Sequence, residues 1–366
     1  MRDRIATRIA ARRSTITKVS LVVVLALVLG ACTSDQSALD PAGPYAQRPH
    51  DLIQWVFGIA VAVFVLVQGL VIYSVVKFRR RKDDDGSLPV QVHGNTRLEI
   101  FWTVIPALIL AAIAVPTVQM IFTQMEEPED ALTVEVIGHR WWWEYYYPEF
   151  DIYTANELVI PAGRTVRLEM TAADPARDVS RGVLHSYWIP QLGGKQDVVP
   201  GQTTYLNYEA DEPGTYLGQC AEYCGLSHAY MRNYATAMTE ADFDAWVEAQ
   251  TTPAAVPTGG LEAEGRALFE DLGDGRQACV ACHAVFDGEN VTSRGPGQGP
   301  DLTHLFSRER FAGAVTELDE ESLAQWLRDP DSIKPMNYDE TGVGMPNLDL
   351  TEDEIDALVA YLSTLE

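Results

Sequence analysis

A chain of 366 residues, 47% of them apolar, is long enough for two or three domains with cores of their own. It carries 52 acidic against 27 basic side chains, a net charge of −25, and from Thr251 onward 23 acidic residues stand against 7 basic ones. That balance excludes nucleic acid as a partner and keeps the last third off anionic lipid surfaces.

Residues 1–18 are basic, and an uncharged run from Val19 to Ser34 follows. Crossing a bilayer takes about 20 apolar residues, so this run reads as the core of a signal peptide over 1–31. Leu29-Gly30-Ala31-Cys32 matches a bacterial lipobox, which makes the Cys32 thiol the acceptor of a diacylglycerol. An unlipidated signal with a chance cysteine is the alternative; either way the mature chain begins outside the cytoplasm.

Leu52–Val76 and Ile100–Met125 carry no charge, and each is long enough to cross about 30 Å of hydrocarbon at ~1.5 Å per residue. They predict transmembrane helices over 52–76 and 98–125, a hairpin within residues 32–125 surrounded by membrane lipid. Lys77, Arg79, Arg80, Arg81 and Lys82 between them mark the cytoplasmic side. Both ends of the mature chain therefore lie outside. A buried core hairpin is the alternative, disfavoured by runs of this length with this flank.

From 131 to 250 the pattern changes to short alternating runs split by Pro and Gly, such as "LTVEVIG", "HSYWIP" and "NYATAMT". This spacing predicts an antiparallel β-sandwich or barrel, closed by the short helix "EADFDAWVEAQ". "TTPAAVPTGG" (251–260) reads as a flexible linker. Residues 261–366 carry helical spacing with acidic first turns, so the last domain is small and helical.

Two clusters carry the chemistry. Cys279-Val280-Ala281-Cys282-His283 is a haem c attachment signature, in which two thiols add to the haem vinyls and the adjacent histidine ligates the iron. A redox dithiol or half a zinc site leaves the histidine unexplained, and no second cysteine pair remains to complete a zinc set. In "CAEYCGLSHAYM" (220–231), Cys220 and Cys224 are spaced to aim two thiolates into one pocket, with His228 and Met231 on the same return. Thiolate, imidazole and thioether select copper, and two bridging thiolates imply two ions. A disulfide is the alternative in an oxidising compartment, but it leaves His228 and Met231 without a purpose.

C-x-E-x-C-x-x-x-H-x-x-M, preceded by "VLHSYWIP", "GHRWWWEYYYPEF" and two N-terminal spans, resembles subunit II of the haem-copper cytochrome c oxidases. From Cys32 to Glu366 the chain is similar to the variety with a fused cytochrome c. The resemblance implies two transmembrane helices, an all-β cupredoxin domain (a Greek-key barrel) and an all-α class I cytochrome c domain. It implies a binuclear copper (CuA) centre bridged by Cys220 and Cys224, with His185 and Met231 completing one ion, and His228 and the Glu222 carbonyl the other. The Glu222 side chain would share a magnesium ion with subunit I. Trp141 stands where electrons enter, core packing being its plainer reading. Glu99 matches a residue at a proton-pathway entrance, and could equally serve the helix dipole. The implied partners are oxidase subunits I and III and an upstream cytochrome or bc-type complex as donor, with oxygen reduction and proton pumping on subunit I and no acid-base or nucleophilic residue here.

One departure concerns docking. An acidic residue often precedes the first copper histidine by three positions; here that place is Gly182, beside Arg181. The acidic surface for a free basic cytochrome c is weakened, as a tethered donor would allow. All five cysteines are absorbed: Cys32 by lipid, Cys220 and Cys224 by copper, Cys279 and Cys282 by haem. His50, His93, His139 and His304 remain without ligand roles, too few for the catalytic copper cluster of nitrous-oxide reductase. Quinol-oxidising relatives lack the copper cysteines. A CuA-bearing nitric-oxide reductase subunit and a free-standing membrane-anchored electron carrier are the other readings, though two long spans exceed what a lipid-anchored carrier needs. For the sixth ligand of the haem iron the tail offers Met336 and Met345. Met345-Pro346 stands just before the last helix, where small c-type cytochromes bring this methionine, and Gly299-Pro300 supplies a carbonyl to orient His283.

Overall fold

The structure is a computed structural model, and it describes residues 34, 36–79, 90–91, 93–172, 182–288 and 299–366. Met1–Ser37 and Ala38–Glu366 are separate compact units, and the account below concerns the second. The expected signal peptide, Cys32, and Arg80, Arg81, Lys82 and Arg181 lie outside the described residues.

The first long helix runs Pro44–Lys77, starting eight residues before the uncharged stretch. Pro44 suits the first helical position because its missing N–H would have no partner there. Freedom from charge marks the part of a helix that tolerates hydrocarbon; Arg48 and Asp51 belong to the same helix above that part. The second helix, Thr96–Met125, is capped by Asn95, whose side chain accepts from the Arg97 and Leu98 amides. Both helices are long and apolar enough to cross a membrane, and their apolar windows are buried nowhere in the chain. Phe64, Ile72, Phe101 and Leu108 stand exposed on them, surface that only lipid or other helices can cover.

Ten strands follow. β1 (Leu132–His139), β2 (Trp142–Tyr147), β3 (Ile152–Ala155), β5 (Val166–Ala172) and β8 (Thr204–Tyr208) form one sheet in the order β3-β2-β1-β5-β8. β4 (Glu157–Pro161), β9 (Gly214–Gln219) and β10 (Arg232–Met238) form a second, and β6 (His185–Tyr187) pairs with β7 (Gln196–Val198). The Greek-key barrel implied by the resemblance is therefore not closed by hydrogen bonds: the domain is a cupredoxin-like sandwich. The chain changes sheets at Asn156, which has φ of 63°, takes the Trp143 carbonyl with its N–H and gives its own carbonyl to Tyr234. Such a corner lets one extended run serve both layers.

Tyrosines fill much of the space between the sheets. Tyr145, Tyr147, Tyr187 and Tyr208 are fully buried. Tyr147 Oη donates to the Val159 carbonyl and accepts from the Val159 amide, both at 2.9 Å, and Tyr208 Oη accepts from Ile189 N at 3.0 Å. Each ring buries apolar area while its hydroxyl keeps a partner. Burial pushes all four phenols above their ordinary pKa.

A helix at Glu240–Thr251 ends the sandwich and the next begins at Gly260. Between them Ala254 is buried and donates to the Phe286 carbonyl at 2.9 Å, so the segment is pinned to the haem domain rather than freely swinging. In that domain the helices Gly260–Glu270 and Glu352–Leu362 cross in contact at Gly265, where an added Cβ would lie 1.8 Å from the Ala357 carbonyl oxygen. Only glycine permits this approach. Gly265→Ala is expected to destabilise the domain by about 3 kcal/mol, read as a lower denaturant midpoint of haem absorbance with the copper domain unaffected; an unchanged midpoint would mean that the crossing relaxes freely.

Candidate metal centres

The loop 220–231 joins β9 to β10, closed at its base by Cys220 N donating to the Met231 carbonyl at 2.9 Å. Gly225, at φ 120°, turns the chain against the Trp141 ring, with an added Cβ only 3.1 Å from Cζ2. One 3-10 turn, His228–Tyr230, then swings His228 inward and returns Met231 to the core. His185 arrives from β6, which is fixed to the loop by Ala221 N donating to the Ser186 carbonyl at 2.9 Å.

The donors converge. Cys220 Sγ lies 3.9 Å from Cys224 Sγ, 3.9 Å from His185 Nδ1 and 3.2 Å from the Glu222 carbonyl. Cys224 Sγ lies 3.6 Å from His228 Nδ1 and 3.8 Å from Met231 Sδ. A disulfide would need a sulfur separation of about 2.0 Å, and both thiols are free. The ligand atoms of His185, Cys220 and Cys224 lie within 4.8 Å of one another and are buried. The hydrogen bond from Cys224 pushes the Cys220 thiol pKa down, and the same bond, as felt from Cys220, together with burial pushes Cys224 up. Without metal, the second proton leaves with difficulty. Two thiolates flanked by two imidazoles, a thioether and a carbonyl fit a pair of soft cations, whose charge would remove that obstacle.

In the haem domain an apolar cavity of about 160 Å³ is lined by Cys279, Cys282 and His283, by Met336 and Met345, and by Phe269, Leu302, Leu323 and Leu358. His283 Nδ1 meets the Pro300 carbonyl at 2.9 Å, the bond expected of an oriented iron ligand. Burial pulls the His283 pKa down, favouring the neutral imidazole that ligates metal. An added Cβ at Gly299 would lie 2.7 Å from the His283 ring, so the loop cradles it at van der Waals distance. These residues fit a haem. Met345 Sδ accepts from Trp326 Nε1 at 3.0 Å, while Met336 is buried with its sulfur packed against Gly344. Arg308, absent from the sequence reading, is buried on the cavity wall and donates to the Asp301 carbonyl at 2.6 Å, a cation suited to an anionic ligand edge. An arginine amid polar loop residues gives no local signal of this.

Trp141 is almost fully buried and lines the haem cavity, while its Nε1 donates to the Cys224 carbonyl at 3.1 Å. It touches both centres. Glu99 lies apart, exposed in the first turn of the second long helix, where its carboxylate accepts from Asn95 N at 3.2 Å. The Glu222 carboxylate accepts from Tyr223 N at 3.0 Å. Of the histidines left over, His139 pairs with Glu144 at 2.7 Å and His304 Nδ1 meets the Glu366 carbonyl at 2.6 Å. Lys334 also went unnoticed in the sequence. It crosses from the haem domain to the copper domain, is buried, and donates to the Trp141 carbonyl; burial pulls its pKa down to about 7, with Cys224 opposing.

Comparison with known proteins gives three family matches: the transmembrane domain of cytochrome c oxidase subunit II over 31–120, its periplasmic domain over 151–237, and cytochrome c over 262–366. Cytochrome c oxidase subunit 2 of Alkalihalophilus pseudofirmus is 38% identical, the match covering 93% of this chain and 95% of that one. The protein of the same name from Bacillus sp. (strain PS3) is 36% identical over 95% of this chain and 96% of its own. Among solved structures, the periplasmic domain of subunit II of cytochrome oxidase from Bradyrhizobium japonicum is 29% identical with a TM-score of 0.31, covering 34% of this chain and 95% of that one. With both ligand sets in place and relatives matched along nearly its whole length, the chain belongs to the cytochrome c oxidase subunit II family and carries a cytochrome c domain at its C-terminal end.

Proposed function

We propose that this chain is the electron-receiving subunit of a proton-translocating cytochrome c oxidase, working beside subunits I and III. When bound, the haem and the copper pair would supply one-electron redox chemistry, with an upstream cytochrome or bc-type complex as donor and subunit I, where oxygen is reduced to water and protons are pumped, as acceptor. The observation that carries the reading is Trp141, whose indole lines the haem cavity and bonds the copper loop at Cys224.

The chain's own residues hold and insulate. Cys279 and Cys282 would attach the haem, and His283, aimed by the Pro300 carbonyl, and Met345 would serve as its iron ligands. Cys220 and Cys224, with His185, Met231, His228 and the Glu222 carbonyl gathered around them, would hold the copper pair. Trp141 and Trp142, both buried, line the haem cavity and keep water from that part of its wall. The Glu222 carboxylate would share a magnesium ion with subunit I, and Glu99 would mark the mouth of its proton pathway. Removal of the signal peptide and lipidation of Cys32 leave the hairpin in the cell membrane with residues 131–250 and 261–366 on the outer face, joined through 251–260.

The test is spectroscopic. The purified, copper-loaded protein is expected to show a reduced c-type haem spectrum together with the near-infrared band of a mixed-valence copper pair. Haem alone in a fully metallated sample would sink the binuclear copper reading.

A further inference from the structure

The haem domain meets the copper domain through a small set of directed contacts. Lys334 is only 3% exposed and its ammonium donates to the Trp141 carbonyl. The next residue, Pro335, gives its carbonyl to the hydroxyl of Ser227, which is fully buried in the copper loop. Arg232 N, at the start of β10, donates to the Gly313 carbonyl at 2.9 Å. Gly313 itself has φ of 82°, and an added Cβ would lie 2.5 Å from Lys334 Nζ, 2.6 Å from the Tyr230 carbonyl and 3.3 Å from that of Trp141. Three segments thus close on one point with no space left over.

A buried ammonium is costly unless its charge is used. Here it is aimed at the backbone of the residue whose side chain reaches the copper loop. We propose that Lys334 is a positioning residue for electron transfer: by clamping the Trp141 carbonyl from the haem domain, it seats that domain at a fixed distance from the copper loop and holds the indole against the Cys224 carbonyl. The inference rests on the reading of Trp141 given above. A neutral side chain of similar length fills the space but leaves the Trp141 carbonyl without its donor, and at this junction only the Ser227 and Arg232 hydrogen bonds then remain beside the apolar packing of Met336 and Val343. The distance between centres becomes distributed instead of single-valued, and a displacement of about 1 Å is enough to slow a positioned reaction by an order of magnitude or more.

The experiment uses the copper- and haem-loaded full chain in its oxidase complex. Lys334→Met is expected to slow equilibration of a photo-injected electron between haem and copper by about tenfold, and to speed amide exchange at Arg232 and at 312–314, while the haem spectrum and the near-infrared copper band stay as in the parent. Gly313→Ala keeps the lysine but drives a methyl group into the same junction, and should give the same pair of changes. Parent-like equilibration and exchange in both variants would overturn the proposal. Loss of the haem spectrum in Lys334→Met, with Gly313→Ala unchanged in rate, would overturn it too, assigning Lys334 to the haem domain's own fold. Because both spectra are recorded in every variant, an absent copper band would indict the functional reading and not the clamp.

Discussion

Replacing Cys220 by serine will remove the near-infrared band of the copper pair and leave the c-type haem spectrum in place. Cys220 Sγ stands within 4 Å of a second thiol, an imidazole and a carbonyl oxygen, so it is shared among three neighbouring donors. A serine hydroxyl is a hard donor that stays protonated near neutral pH, and it cannot bridge two soft ions. Copper affinity should fall by about a hundredfold or more, since even partners outside the ligand shell are worth 10- to 100-fold. The loop itself should survive, because its closure at Met231 uses the Cys220 amide and not the side chain. Metal analysis alongside the absorption spectrum decides the matter; a serine variant that keeps two coppers and the band would show that one thiolate suffices.

The second large effect concerns the haem. Met345→Ala is expected to erase the sulfur-to-iron charge-transfer band and lower the haem potential, on the order of 0.1 V or more given the span that axial ligands control. Both methionines line the cavity, so position alone does not choose between them. Their surroundings differ. Met336 is tied at both ends of its backbone unit, its N–H donating to Asp331 Oδ1 at 2.6 Å and its carbonyl accepting from Thr341 Oγ1 at 3.1 Å, and its sulfur is packed on Gly344. Met345 sits on an extended segment before Pro346, with its sulfur toward the Trp326 indole. Met336→Ala should therefore keep the band and cost about 2–5 kcal/mol of stability as a buried cavity mutation. Loss of the band in Met336→Ala, with its survival in Met345→Ala, would reverse the ligand assignment.

What could be read beforehand depended on how far apart in sequence the cooperating groups lie. Cys220, Cys224, His228 and Met231 share one loop, and Cys279, Cys282 and His283 share another, so spacing alone announced their chemistry. His185 sits 35 residues before Cys220 and was placed only through the resemblance. The long helices were plain from missing charge, but the first one's upper turns were not, because Arg48 and Asp51 are unremarkable in a helix that has left the hydrocarbon. Alternation announced strands without saying which sheet each joins; the corner at Asn156 depends on a single φ value and on partners at Trp143 and Tyr234. Least legible was the meeting of the copper and haem domains. Lys334 and Trp141 are 193 residues apart, and a Lys-Pro pair in an acidic tail looks like a solvated turn until both surfaces are built.

The seating of the sandwich on the helices bears on assembly. Asn207 Nδ2, in β8, donates to the Glu126 carbonyl at 2.7 Å and to that of Gln124 at 3.3 Å, and Gln124 Nε2 donates to the Tyr45 carbonyl at 2.8 Å. One amide on the sheet and one on the second helix thereby lock the sandwich to the adjacent ends of both helices. Association with another subunit ordinarily costs the freedom of every part that must line up, and a domain hung on a loose tether would bring that cost to the encounter. Here the alignment is settled within the chain before any partner arrives, so binding along the helices delivers the outer domain to its place in the same event.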